Sequence, residues 1–133
     1  MDRIKIIHLD DHVLFTDGAY NLLKPQLANS FYLRFNREDD ALTYMINAIH
    51  ADEMPDLLIT DLSHPGLNGY EFAKRIRMEE RKWKRKPLPV LLLTMHDKRT
   101  KEVQLGLLLK VFNWYLPKSS NSERIIEVIK SVC

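Results

Sequence analysis

Five short apolar runs recur along the 133 residues, and each is followed by a stretch with the period of a helix. The runs are Ile4–Leu9, Phe31–Phe35, Leu57–Ile59, Val90–Leu93 and Val111–Leu116. They are too short for helices and rich in branched or aromatic side chains, so they predict strands. Leu57-Leu58-Ile59 and Val90-Leu91-Leu92-Leu93 are apolar throughout, as strands buried on both faces must be. Strands that alternate with helices form a parallel sheet covered by helices on both sides. Right-handed crossovers favour an open, doubly wound sheet, since a barrel needs eight units. The fold class expected is therefore α/β, with five parallel strands in one domain over residues 1–133.

The helices read as follows. Val13–Lys24 carries Leu14 or Phe15, Gly18-Ala19 and Leu22-Leu23 near i, i+4, i+8, and Pro25 ends it. Strand two alternates Phe31, Leu33 and Phe35 with Tyr32 and Arg34, which gives it two unlike faces. Asp39 and Asp40 suit a helix N-terminus, and the helix runs to about Ala51, burying Leu42, Met45, Ile46 and Ile49. A third helix starts near Gly69 with Phe72, Ala73 and Ile76 inward. It passes into Arg81-Lys82-Trp83-Lys84-Arg85-Lys86, either a nucleic-acid patch or a solvated helix end where cations suit the dipole. The solvated end is favoured, because no basic and aromatic interleaving elsewhere extends the patch. Asp97 to Lys110 reads as a helix interrupted by Gly106, and Pro117 closes strand five. Ser120-Asn121-Ser122-Glu123 fits a capping box before a last helix that buries Ile125, Ile126, Ile129 and Val132.

Composition removes several classes of function. A formal net charge of +2 singles out no partner. The one cysteine, Cys133, can form no internal disulfide and no cysteine-spaced zinc site. Met1-Asp2-Arg3 runs straight into a strand and two acids, unlike a signal peptide. No apolar run nears the ~20 residues of a membrane span. A cytoplasmic protein with no membrane partner is expected.

Open sheets bind beyond the carboxyl ends of their strands, where strand order reverses. In the five-stranded form the reversal falls between strands one and three. Asp10 and Asp11 end strand one, Asp61 ends strand three, Thr94 ends strand four and Lys118 follows strand five. Three clustered carboxylates repel, at roughly 4 kcal/mol per pair for ~4 Å and an effective dielectric near 20. Lys118 offsets part of that, and a divalent cation would balance the rest. An all-oxygen site with water positions suits Mg²⁺. Such a cluster can accept a dianionic phosphoryl group, and an aspartate can attack phosphorus to give an acyl phosphate. Metal and lysine would stabilise the transferring oxygens.

Asp10-Asp11, Asp61 with Pro65 and Gly69 after it, Thr94 and Tyr115-Leu116-Pro117-Lys118 resemble the receiver domain of two-component response regulators over nearly the whole chain. Asp10-Asp11-His12-Val13-Leu14-Phe15 and Leu93-Thr94-Met95-His96-Asp97 resemble the NarL/LuxR-type branch, whose receivers precede a helix-turn-helix domain. The resemblance implies a flavodoxin-like strand order of 2-1-3-4-5. It implies Asp61 as phosphoacceptor, fed by a sensor histidine kinase or phosphotransfer protein. Asp11, Asp61 and the backbone carbonyl of Ser63 would hold Mg²⁺, with Asp10 acting through water. Thr94 and Lys118 would contact phosphoryl oxygens, and Thr94 and Tyr115 would form the switch. Output would pass through the fourth helix, fifth strand and fifth helix, most simply by a homodimer. DNA would be reached only through a further domain.

The chain departs from the family pattern at four places, one of them a long segment between Arg77 and Val90. His64 stands where methionine is frequent before the loop proline, and reads as a solvated loop residue rather than a second phosphoacceptor. Val111-Phe112-Asn113-Trp114 replaces a small-residue run, and Ser119 replaces a proline. Two other functions compete with the receiver reading. An aspartyl-phosphate phosphatase of the haloacid dehalogenase type needs an aspartate two residues past the nucleophile, where Ser63 stands. An unphosphorylated pseudo-receiver, a pure interaction module, usually lacks an acid or the lysine, and this chain keeps them. The expectation is a signalling protein that is not an enzyme.

Overall fold

Along the central strands the side chains divide by parity. The computed structural model describes residues 4–10, 12–26, 30–64 and 67–132. Ile7, Leu9, Leu58, Val90 and Leu92 enter one core, and Ile6, Leu57, Ile59, Leu91 and Leu93 enter another. Strands of period two feed two cores only when both faces are covered. The strands are β1 (Ile4–Leu9), β2 (Ser30–Phe35), β3 (Leu57–Thr60), the two-residue β4 (Ser63–His64) and β5 (Leu67–Asn68), β6 (Val90–Thr94) and β7 (Trp114–Pro117). The helices are α1 (Val13–Leu23), α2 (Glu38–Ala51), α3 (Gly69–Trp83), α4 (Lys101–Leu108) and α5 (Ser122–Val132). Five strands form a parallel sheet in the order β2-β1-β3-β6-β7, and β4 pairs antiparallel with β5. Counting only the sheet strands, that is the expected 2-1-3-4-5. Met45 and Ile49 of α2, Phe72 and Ile76 of α3 and Val103 of α4 close the first core. Ala19 and Leu23 of α1 and Ile125, Ile126 and Ile129 of α5 close the second.

Several elements differ from the sequence reading. The helix expected over Asp97–Lys110 is only Lys101–Leu108. Asp97 spends its backbone and side chain on a turn instead: its carbonyl accepts the Thr100 N–H at 2.9 Å and its Oδ1 the Arg99 N–H at 2.7 Å. At the other end Lys110 takes φ 58°, and the Val111 and Phe112 N–H groups both turn back to the Gly106 carbonyl, at 2.8 and 3.1 Å. That reversal consumes Val111–Asn113, so the fifth sheet strand is Trp114–Pro117 rather than Val111–Leu116. Gly106 does not interrupt α4. It is buried within the helix, and a Cβ there would collide with the Phe112 ring. The bulk at Phe112 is thus accommodated by the missing side chain at Gly106.

Smaller differences have equally local causes. Pro25 lies inside a 3-10 turn, Lys24–Gln26, that follows α1. In α2 the inner positions with Met45 and Ile49 are Ala41 and Ala48, while Leu42 and Ile46 are half-buried. On β2 it is Tyr32 that is buried and Phe31 that is 38% exposed. Tyr32 Oη lies 2.6 Å from His8 Nδ1, the partner a buried phenol requires. The last helix is capped by Asn121, whose Oδ1 accepts the Arg124 N–H at 3.0 Å. Within the basic run, Arg85 is drawn down onto the end of α2, donating from Nε to the Ile49 carbonyl at 2.8 Å. Arg81, Lys82, Lys84 and Lys86 are exposed, as a solvated helix end would be.

Candidate functional site

Parallel register brings the acids together. Leu9 pairs with Thr60, so Asp10 and Asp61 leave β1 and β3 at the same level. The ladder continues one step past the strands. The Asp61 N–H donates to the Leu9 carbonyl at 3.1 Å, and the Asp10 N–H to the Phe35 carbonyl at 3.0 Å. Both aspartates are buried. Pro117 pairs with Thr94, and the Lys118 N–H donates to the Thr94 carbonyl at 2.9 Å, so Lys118 starts from the same rim.

From there the Lys118 side chain joins the acids. Its Nζ lies 2.8 Å from Asp10 Oδ2 and 3.2 Å from Asp61 Oδ2. The other oxygens are held by backbone: Asp61 Oδ1 accepts the Leu62 N–H at 2.7 Å, and Asp10 Oδ1 accepts the His12 N–H at 2.9 Å. Burial pushes the Asp10 carboxyl above the usual carboxylate range, and the hydrogen bonds from Lys118 and the His12 amide offset only part of this. Burial acts on Lys118 to lower its pKa, but the hydrogen bond and charge of Asp10, with Asp61, outweigh it and hold the ammonium above its usual range. One ammonium against two buried carboxylates leaves a net negative cluster, which favours a further cation.

Gly69 completes the floor. A Cβ there would run into the Asp61 carbonyl oxygen, and the Gly69 N–H donates to the Leu62 carbonyl. The head of α3 therefore packs directly on the backbone of Asp61, a closeness only glycine permits.

A sequence model of the response regulator receiver domain matches residues 6–130. This chain belongs to that family. Among curated relatives, the receiver is 29% identical over 135 residues to the transcriptional regulatory protein DegU of Brevibacillus brevis, covering 98% of this chain and 50% of that protein. It is 28% identical over 96 residues to the transcriptional regulatory protein NarL of Mycobacterium tuberculosis, covering 72% and 40%. The chain thus spans half or less of the regulators it matches. Solved receivers share the fold. The signal receiver domain of the NarL response regulator from Mycobacterium tuberculosis superposes with a TM-score of 0.76 at 22% identity, covering 98% of this chain and 96% of that one. The receiver domain of the histidine kinase CKI1 from Arabidopsis thaliana, complexed with Mg²⁺ and BeF₃⁻, gives 0.79 at 19% identity, covering 97% and 89%. No helix among the receiver's described residues is long and apolar enough to cross a membrane.

Four of the residues singled out from sequence, Asp10, Asp61, Thr94 and Lys118, meet at the rim of the receiver. Asp11 and Pro65 lie outside the described residues, and Ser63 is placed by its backbone alone, in β4. Thr94 is buried, and its Oγ1 accepts the His96 N–H at 3.2 Å. Tyr115 is half-buried and donates its hydroxyl to the His96 carbonyl at 2.7 Å. Thr94 and Tyr115 therefore grip the two sides of one residue in the loop after β6. Tyr115 packs against the first core and Trp114 against the second, the opposite faces that strand alternation requires.

One member of the cluster escaped the sequence reading. His12 Nδ1 lies 3.0 Å from Lys118 Nζ and 3.6 Å from Asp10 Oδ1. Its position right after Asp10-Asp11 was the available signal. Asp10, His12 and Asp61 offer donor atoms that all lie within 4.8 Å of one another, so the donor set fits a divalent metal ion.

Proposed function

We propose that this receiver accepts a phosphoryl group on Asp61 from a phosphohistidine of a sensor histidine kinase or phosphotransfer protein. The observation that carries the reading is the buried Asp61, bridged to Asp10 by the Lys118 ammonium at the carboxyl end of the sheet. A carboxylate oxygen of Asp61 attacks phosphorus, the bond from phosphorus to the donor nitrogen breaks, and the donor leaves with the electron pair. Lys118 then presents its charge to the phosphoryl oxygens. Thr94 accepts from the His96 amide through its oxygen and keeps its proton to donate to the new anion, a charge-assisted bond stronger than a neutral one.

Asp10, Asp11, Asp61 and the backbone carbonyl of Ser63 are the residues that would hold Mg²⁺, with Asp10 acting through water. When bound, the ion neutralises the carboxylates and draws charge from the transferring group. The chain acts as a switch and not as an enzyme, in the cytoplasm, with residues 1–133 as its receiver unit. Movement of Thr94 releases or tightens the His96 loop and so reaches Tyr115, altering the face made by α4, β7 and α5. A symmetric dimer through that face is the simplest output. Control of transcription, as the names of the longer relatives suggest, would act through a DNA-binding domain beyond these residues.

Intact-mass spectrometry after incubation with a small phosphodonor and Mg²⁺ tests the assignment. The expected result is a single phosphoryl adduct that requires Mg²⁺ and is absent from Asp61→Asn. An adduct of equal yield in that variant would overturn it.

A further inference from the structure

A cleft opens between α3 and the turn that ends α4, at the end of the sheet where β6 and β7 begin and so opposite Asp61. Its volume is about 670 Å³, within the roughly 300–1,000 Å³ of small-molecule sites. Five cations line it, Lys74, Arg77, Arg81, Arg85 and Lys110, against one carboxylate, Glu80. Arg77 pairs with Glu80 at 3.0 Å, and Arg85 turns away to Asp52 at 3.6 Å and the Ile49 carbonyl at 2.8 Å. Lys74, Arg81 and Lys110 are exposed and have no ion pair among the described residues.

Helix dipoles explain only part of this charge. Arg81 lies in the last turn of α3 and Lys110 just past the end of α4, where cations are favoured. Lys74 stands in the first half of α3, where the dipole offers a cation nothing. Its ammonium is held 5.8 Å from the ring centroid of Tyr70, another residue of the cleft wall. Below them Arg77 is buried, and its Nε–H has no hydrogen-bond partner. A buried donor left unpaired favours negative charge close by. Beside the cations the wall is apolar: Leu109 is 59% exposed, and Pro87 and Val111 line the same cleft.

We propose that this cleft binds a nucleoside polyphosphate, with its phosphates on Lys74, Arg81 and Lys110 and its base against Leu109 and Pro87. A lone carboxylate carries too little charge to balance these cations, whereas two or three phosphates match them. Arginine forks and lysine point charges both suit phosphate oxygens. A nucleoside supplies the apolar surface that the remaining wall can cover. The site shares no residue with the acidic rim, so it does not depend on the role of Asp61.

The test is isothermal titration of the whole chain with ATP in metal-free buffer. Binding is expected. Lys74→Gln with Lys110→Gln, which takes one cation from each wall, should weaken it by about tenfold or more. Arg81→Gln alone should weaken it in the same direction. Lys82→Gln with Lys86→Gln removes the same charge beside the cleft and should change affinity far less. Asp61→Asn should bind as wild type does. Tripolyphosphate should bind more weakly than ATP, since it leaves the apolar wall uncovered. Absence of ATP binding overturns the site. So does equal loss in the two double variants, which would reveal a diffuse basic surface open to any polyanion. Loss of binding in Asp61→Asn would place the nucleotide at the acidic rim and also overturn it. Tripolyphosphate that binds as tightly as ATP overturns the nucleoside part. Since Lys74 and Lys110 are exposed, circular dichroism of their double variant should match wild type.

Discussion

His8 sits wholly inside the sheet, two residues before Asp10, with Nδ1 against the Tyr32 hydroxyl. Burial, then the charge of Lys118, lowers its pKa from 6.5 to about 3, and Asp61 pulls the other way without prevailing. A base whose folded pKa is depressed stays neutral in the fold while the unfolded chain takes up its proton. The stability it contributes is complete above about 6.5 and is lost as pH falls towards about 3. Urea unfolding should therefore show stability dropping by up to about 1.4 kcal/mol per pH unit from this residue across that window. His8→Phe should have a visibly shallower slope between pH 4 and 6. Equal slopes in the two proteins would show that His8 titrates freely in the fold.

At the scale of elements, α4 and the approach to β7 are built as one unit around Gly106. The helix ends early because the chain reverses at Lys110 and lays Phe112 over the glycine. The Phe112 ring also stands edge-on to Tyr70 of α3, with centroids 6.2 Å apart, so it joins three elements. Gly106→Ala should destabilise the protein by about 1–3 kcal/mol, the usual cost of overpacking, even though alanine is the better helix former. Phe112→Leu, introduced with it, should recover part of the loss, and a thermodynamic cycle measures the coupling. If Gly106→Ala stabilises, the ring is free to move away and the packing argument fails.

Over the whole molecule, a buried polar network holds the end opposite the acidic rim. Arg77 donates to Glu80 at 3.0 and 3.1 Å, to the Val111 carbonyl at 3.2 Å and to Asn113 Oδ1 at 3.0 Å. Glu80 accepts the Leu88 N–H at 2.6 Å, and Asn113 Oδ1 accepts the Val90 N–H at 2.8 Å. The network thus ties α3 to the start of β6 and the lead-in to β7. Arg77→Leu should cost about 3–5 kcal/mol, because Glu80 is left buried without its partner. Arg77→Leu with Glu80→Leu should recover much of that in denaturant melts; a double variant no better than the single one would mean that the backbone contacts dominate. The rim signals by a different path. Phosphorylation can bias the face of α4, β7 and α5 only by its unequal interaction with two packings. Sedimentation with and without phosphodonor should show a change in association for wild type that Thr94→Ala lacks. An equal change in both proteins would remove Thr94 from the path to Tyr115.

The five-stranded parallel sheet and the meeting of Asp10, Asp61, Thr94 and Lys118 were legible in the chain itself, while the strand order came from the family resemblance. The sheet and that meeting follow from local rules: apolar runs of strand length, helices between them, and right-handed crossovers that leave every strand's carboxyl end on one rim. The residues just past those ends had nowhere else to go. What the chain did not disclose depends on contacts distant in sequence. Gly106 looked like a break in a helix because the ring that fills its space belongs to a later loop. The burial of Arg77 and Glu80 depends on partners, Val111, Asn113 and Leu88, that arrive from other elements. His12 looked like the residue after two acids, and only the 3.0 Å approach of Lys118, 106 positions along the chain, turns its ring nitrogen into part of the site. Periodicity and turn chemistry act between near neighbours and can be read directly. Side-chain pairing across the fold is decided by which surfaces the tertiary structure presses together.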